Sequence, residues 1–318
     1  MDNLWGIAMN VLDIQNICRS YDGYNFVVEN LSFSIPKGTI CGFIGPNGAG
    51  KTTTMRICAT LDLADGGDVF VNGYNVNTHP REARKHIGYM PDSFPVEPTI
   101  LISDMLEFFG RAHGLYGKEL RNMMDSVIAF TNLEGMLHKQ FQELSKGMKQ
   151  RAALGTILMH DPDLLILDEP AAGLDPRARI DLRNLLKLLS AQGKSVLISS
   201  HILSELSEIC DQVVVLEQGK IQGNGIFTGL QTPKESKEFR LKTLADLEMV
   251  ATYVATKEYV HNVSVKQGFV VFEFTGDEEE QAAFLADMFA QGFKPIRFAA
   301  HEVNLEDLFM SVTKGYVQ

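Results

Sequence analysis

The sequence predicts an α/β protein: a large domain on a mostly parallel sheet, a helical subdomain inserted into it, and a small α+β domain after it. Three observations carry this prediction. Short apolar runs alternate with helical stretches through the first two-thirds of the chain. That alternation lapses between about Thr99 and His160, where the pattern is helical throughout. Beyond a polar segment near residue 232 the order of elements changes. At 318 residues the length suits about two domains.

Residues 1–9 read as an N-terminal extension. GTICGFIG (38–45) is a continuous apolar run followed by a Gly-rich loop and a helix. DVFVNGYNV, HIGYM, DLLILDE and SVLISSH are further apolar runs separated by helical stretches, the pattern of a largely parallel central sheet. QVVVLEQGKIQGNG (212–225) reads as a hairpin that closes a domain spanning 10–228. A linker is expected over 229–237, where TPKESKE begins. From 238 to 318 the order is strand (EFRLKTL), helix (LEMVATYVATK), a hairpin turning at Gln267-Gly268, helix (DEEEQAAFLADMFAQG) and strand (KPIRFAAHEV). This β-α-β-β-α-β order predicts a ferredoxin-like domain, with a last helix in NLEDLFMSVT capped by Asn304 with Asp307.

Composition narrows the function. Hydrophobic residues make up 45% and charged residues 22%, ordinary globular values. A net charge of −11 and a pI near 5.2 leave no basic footprint for nucleic acid, which is not expected as a partner. Cys18, Cys41, Cys58 and Cys210 lack CxxC or CxH spacing, which argues against a metal site and fits buried thiols in a reducing compartment. No apolar run reaches the ~18 residues of a membrane span. MDNLWGIAMNV has no basic signal-peptide start. A cytoplasmic protein is expected, with membrane contact only through a partner.

GPNGAGKTT (45–53) fits GxxxxGK[ST] between an apolar strand and a helix, where phosphate binding needs it. Gly48 and Gly50 let the backbone wrap phosphates and aim its N–H groups inward. The helix start adds positive potential. Lys51 can reach β- and γ-phosphates, and Thr52 can ligate Mg²⁺. LLILDEP (164–170) ends a buried strand in two adjacent carboxylates, which alternation gives different jobs. Asp168 is the expected Mg²⁺ partner, and Glu169 the candidate to polarise an attacking water. Together these segments define a P-loop NTPase.

LSKGMKQR (144–151) lies about a hundred residues after the phosphate loop and just before LLILDEP. With it the chain resembles the ATP-binding subunits of ABC transporters over roughly residues 10–228. The resemblance implies a RecA-like core with an antiparallel β subdomain and an inserted helical subdomain. GPNGAGKTT resembles the Walker A, bringing Gly45, Asn47, Ala49 and Thr53 to the nucleotide with Gly48, Gly50, Lys51 and Thr52. LLILDEP resembles the Walker B. GYMPDSF stands at the Q-loop, LSKGMKQR at the signature, AGLDP with Asp175 at the D-loop, and His201 of LISSH at the H-loop. Tyr21 is similar to the family's adenine-stacking aromatic, although Tyr24 is close by.

The family implies ATP and Mg²⁺ as cofactors and a head-to-tail homodimer with two ATPs at its interface. Each nucleotide is then held by one chain's phosphate loop and the other's signature, where Ser145 offers a hydroxyl and Gly147 a close backbone N–H. A helix expected from about Met148 would point its positive end at a γ-phosphate. His201 is expected at the γ-phosphate and the water, and Asp175 at the opposite subunit's site. There are two departures. Asp92 replaces the usual Q-loop glutamine, so a shorter, charged side chain faces Mg²⁺. Lys146 replaces the signature's first glycine and puts a cation near the phosphates.

NLEDLFMSVTKG resembles the tail of exporter ATPases that serve a separately encoded permease. A ferredoxin-like extension is also similar to regulatory domains of some importers, so residues 238–318 are expected to dimerise or regulate. Translation-linked members of the family carry two cassettes, and repair members carry coiled coils or zinc modules; neither is present here. The expectation is the ATPase of an exporter, peripheral at the cytoplasmic face of the membrane. An importer ATPase and a non-transport ABC ATPase are the alternatives.

Overall fold

The computed structural model describes residues 10–200, 206, 208–228, 237–266 and 268–301. These residues divide into two compact units, one holding 10–228 and the other 237–301. The N-terminal extension, most of the linker and the predicted last helix with Asn304 and Asp307 lie outside the described residues.

In the first unit, β1 (Asn10–Ser20) and β2 (Phe26–Pro36) pair antiparallel. Register shifts at Ile14/Ile17 and Ile17/Arg19 interrupt the pairing. These irregularities blur the two-residue alternation of β1, whereas β2 keeps it over Leu31, Phe33 and Ile35. β4 (Gly66–Val71) and β5 (Tyr74–Asn75) extend the sheet to the order β2-β1-β4-β5. DVFVNGYNV, expected in the parallel sheet, therefore belongs to this antiparallel one, with Leu12 opposite Val71 and Ile14 opposite Val69.

The second sheet contains β3 (Ile40–Ile44), β6 (Ile87–Met90), β7 (Leu164–Leu167), β8 (Ser195–Ser200), β9 (Gln212–Glu217) and β10 (Lys220–Thr228). Its order is β10-β9-β3-β8-β7-β6, parallel except for β10, which folds back on β9. β3, β7 and β8 are buried along their whole length, and so they read as unbroken apolar runs. A continuous core joins both sheets through α1 (Lys51–Cys58). Ile14 and Phe33 pack from the first sheet, Met55 and Ile57 from α1, and Phe43 and Ile166 from the second. Burying each such side chain contributes roughly 1.5–3 kcal/mol. The carboxyl ends of β3, β6, β7 and β8 lie side by side, so the loops after them converge on one edge.

After α2 (Pro80–Arg84), the insertion consists of α3 (Ile102–Ala112), α4 (Gly117–Thr131) and α5 (Lys146–Leu158). α5 packs on α3, α4 and β6, and every residue from Ala152 to Leu158 is buried. A helix surrounded on all sides shows no amphipathic stripe, so AALGTIL carries little periodic signal. α6 (Pro176–Ala191) follows β7 and packs on β8.

The second unit runs β11 (Lys237–Thr243), α7 (Leu247–Val254), β12 (Val260–Lys266), β13 (Phe269–Phe274), α8 (Glu278–Ala290) and β14 (Pro295–His301). β11 starts one residue inside the expected linker. The sheet order β12-β13-β11-β14 is antiparallel throughout, giving the split β-α-β connectivity. Asp246 caps α7, and Asp277 with Glu280 forms a capping box on α8. Phe239, Phe272, Phe274 and Phe284 fill a core of its own. No described helix is long and apolar enough to cross a membrane.

Candidate active site

β3 delivers the chain into the loop that precedes α1. Gly50 sits at φ +99°, and a Cβ there would stand 2.5 Å from the Val27 carbonyl, so glycine is required to close the loop onto the helix. Lys51 Nζ donates to the carbonyls of Gly45 at 2.7 Å and Pro46 at 3.2 Å, and lies 3.9 Å from Glu169 Oε1. Burial pushes the Lys51 ammonium below its ordinary pKa, against the pull of Glu169 and Asp168. Residues 47–53 line a cavity of 270 Å³ that also receives Asp92, Asp168 and Glu169. Asn47, Gly48, Ala49, Gly50, Lys51, Thr52 and Thr53 are thus brought together with all three carboxylates, and Gly45 holds Lys51 from behind.

The two carboxylates after β7 are set apart by strand register. Leu167 pairs with Ile198, which puts Asp168 beside Ser199 of β8. Ser199 Oγ donates to Asp168 Oδ1 at 2.7 Å and accepts the Glu169 N–H at 2.8 Å. Asp168 is only 3% exposed, whereas Glu169 turns at φ +48° toward Lys51. A left-handed conformation is costly for a non-glycine residue, and the Ser199 bond helps to hold it. Ser199 was not singled out from the sequence. Its only signal there is its place, with Ser200, at the end of the apolar run Val196–Ile198.

The signature helix α5 starts at Lys146, two residues before the expected Met148, because Ser145 is the N-cap. The Ser145 hydroxyl accepts the Met148 N–H at 3.4 Å. Asp175 caps α6 in the same way, accepting the Ala178 N–H at 2.9 Å. A Cβ on Gly147 would meet Ala178 Cβ at 2.8 Å, so the missing side chain lets the first turns of α5 and α6 touch. Ser145, Gly147 and Asp175 line a second cavity of 440 Å³, rimmed by Arg151 paired with Asp181. No residue lines both cavities. Lys146 is not among the residues that line this cavity; its Nζ lies against Gly173. Gln150, not predicted, donates from α5 to the Pro170 carbonyl at 2.6 Å, tying the signature helix to the turn after Glu169.

Tyr21 is 59% exposed and Tyr24 is 89% exposed. Tyr21 is the anchored one. Its hydroxyl donates to Asp62 Oδ2 at 2.8 Å and lies 3.4 Å from Thr53 Oγ1, while the Arg19 guanidinium sits 4.7 Å from its ring centre. His201 lies outside the described residues.

Thr52 hydroxyl and the Asp168 and Asp92 carboxylates offer only hard oxygen donors to one cavity. That donor set suits Mg²⁺, which prefers one or two carboxylates, water and substrate phosphates. The start of α1 and the preceding loop supply N–H donors for those phosphates.

A family profile described as "ABC transporter" matches residues 28–172, and one described as "AAA domain, putative AbiEii toxin, Type IV TA system" matches residues 139–207. The linearmycin resistance ATP-binding protein LnrL of Bacillus subtilis (strain 168) is 30% identical over 306 residues, spanning 95% of this chain and 98% of that protein. The Nod factor export ATP-binding protein I of Ralstonia nicotianae is 31% identical over 304 residues, covering 95% and 94%. Among solved structures, an ATP-binding subunit of an ABC transporter superimposes with a TM-score of 0.62 at 29% identity, over 69% of this chain and 90% of that one. A dimeric ATP-binding cassette in a post-hydrolysis state with ADP and Pi shares the fold, with a TM-score of 0.62 at 23% identity over 68% and 98%. Fold and site thus define an ATP-hydrolysing P-loop cassette. The chain belongs to the family of ABC transporter ATP-binding proteins.

Proposed function

We propose that this chain is the ATP-hydrolysing subunit of an exporter, acting as a head-to-tail homodimer on a separately encoded membrane permease. The observation that carries the dimer is the separation of the two cavities. Ser145, Gly147 and Asp175 share no lining with the phosphate loop of their own chain, so the Ser145 hydroxyl and the N–H of Gly147 at the start of α5 suit a nucleotide held by a second copy. The names of the relatives, linearmycin resistance and Nod factor export, support the outward direction. The C-terminal unit is assigned to dimerisation or regulation.

In this reading ATP lies along residues 47–53, with its base on Tyr21 and Lys51 at the β- and γ-phosphates. Mg²⁺ would be held by Thr52 and Asp168, with Asp92 facing it, and would supply charge neutralisation to the phosphates. Glu169 orients the attacking water and takes up its proton, while Ser199 keeps Asp168 and Glu169 in their separate places. His201 is assigned to the γ-phosphate. Closure of the dimer brings the partner's Ser145 and Gly147 onto that phosphate, and hydrolysis releases it.

Glu169→Gln keeps the shape of the site and removes the base. The variant is expected to accumulate as an ATP-bound dimer, measured by light scattering during gel filtration. A monomer at saturating Mg-ATP would sink the mechanism. Lys51→Ala is expected to abolish ATP binding in calorimetry, and normal turnover by that variant would overturn the assignment of the loop.

A further inference from the structure

The network beneath Tyr21 joins a candidate base platform to the phosphate helix. The Tyr21 hydroxyl has one proton and gives it to Asp62 Oδ2 at 2.8 Å. The Thr53 hydroxyl, in the first turn of α1, stands 3.4 Å from the Tyr21 hydroxyl and can donate to its oxygen. Asp62 follows the other end of that helix, where its N–H reaches the Arg56 carbonyl at 3.3 Å. Its second oxygen accepts the Leu63 N–H at 2.8 Å and Arg19 at 2.9 Å. Arg19 also bonds Asp65 at 2.7 Å, and Asp65 in turn accepts the Ser20 N–H at 2.7 Å. The guanidinium is therefore fixed on both sides while it lies over the Tyr21 ring, 4.7 Å from its centre. This cation–π contact occupies a face of the ring, and the residue is still 59% exposed.

From this geometry we infer that Asp62 and Arg19 are positioning residues for base recognition, which rests on the reading of Tyr21 as the adenine platform. Asp62 fixes the height and tilt of the ring against α1, and Arg19 blocks one face so that a base stacks on the other. A free tyrosine in a loop would lose side-chain freedom when a base stacks on it. Here the folded chain has already restricted that freedom, so stacking costs less. The ligand class is the aromatic base of a nucleoside triphosphate, read by its π-face and not by its edge.

The test compares ATP with inorganic tripolyphosphate, which offers phosphates without a base, by titration calorimetry on the full chain. Asp62→Ala and Tyr21→Phe should each weaken ATP binding roughly tenfold, the scale of losing a well-placed base stack. Tripolyphosphate affinity should stay within about twofold of the parent if phosphate contacts are untouched. The double variant should be no weaker than Asp62→Ala alone, because the hydrogen bond that Tyr21→Phe removes is already lost there. Asp62→Asn, which keeps an oxygen acceptor, should recover part of the loss. Unchanged ATP affinity in Asp62→Ala overturns the inference, as does additivity in the double variant. An equal loss of tripolyphosphate would also overturn it, by placing the defect in α1. Unchanged ATP affinity in Tyr21→Ala would instead remove the platform reading itself.

Discussion

At the scale of single residues, the most informative position is Ser199, a neutral side chain fully buried between the Asp168 carboxylate and the Glu169 backbone. Its hydroxyl proton goes to Asp168 and its lone pair to the Glu169 N–H, so one atom fixes both the charge pointing inward and the turn after it. A hydrogen bond to a charged group contributes about 1.5–3 kcal/mol, and an unpaired buried carboxylate costs more. Ser199→Ala should therefore lower kcat roughly 10- to 100-fold, because the Glu169 turn loses its anchor. The KM for ATP should change little, since the phosphate loop does not depend on Ser199. A variant with normal kcat in steady-state ATPase assays would remove Ser199 from the site. Lys146 has a structural place as well: its ammonium packs against Gly173, which stands at φ +66°. A side chain there would collide with Lys146 Nζ at 2.5 Å, so the lysine and the glycine accommodate each other.

At the scale of elements, α3 and α5 are joined where they end by two stacked histidines. His113, the C-cap of α3, lies ring on ring with His160 just beyond α5, 3.9 Å apart at 5°. His160 Nε2 bonds the Ile87 carbonyl at 2.9 Å, which links the pair to the strand leading toward Asp92. Burial first, and His113 second, pull the His160 pKa down to about 4, with Lys194 adding to the effect and Asp161 opposing it. Burial also lowers that of His113. The unfolded chain, with histidine near its ordinary value of about 6.5, binds protons more readily than the fold between about pH 6.5 and 4. The stability from the neutral pair is therefore complete above the unfolded value and is lost as pH falls toward 4. His160 should contribute at most about 2 kcal/mol of this after solvent screening. Thermal unfolding from pH 7 to 4.5 should show a shallower acid loss in His160→Phe than in the parent. An unchanged slope would mean that the pair does not titrate with folding.

At the scale of the whole molecule, two units with separate apolar cores should unfold as two transitions. ATP binds only the folded cassette and should raise one of them, by about 2.7 kcal/mol at a ligand concentration of 100 Kd. Phe272→Ala removes a fully buried ring from the second core and should lower the other transition by about 3–5 kcal/mol of stability. ATP binding should survive that substitution. A single calorimetric transition that moves with both changes would show one cooperative unit instead of two.

The sequence by itself determined whatever depends on neighbouring residues. The phosphate loop, the paired Asp168 and Glu169, and the signature around Ser145 and Gly147 are continuous segments. Their glycines, caps and strand endings have local causes, so the structure places these residues on the elements expected of them. The parallel strands were legible because burial on both faces leaves an unbroken apolar run. β1 was not, because bulges disturb its alternation, and β4 could not be assigned to its sheet before its partner was known. Tertiary structure alone decided the contacts between distant segments: Ser199 with Asp168 across 31 residues, and Tyr21 with Asp62 across 41. It also decided that the signature and the phosphate loop line different cavities. The physical reason is that strand register and the packing of α1, α5 and α6 belong to no single segment. They are fixed only when the core closes and each buried polar atom must find its partner.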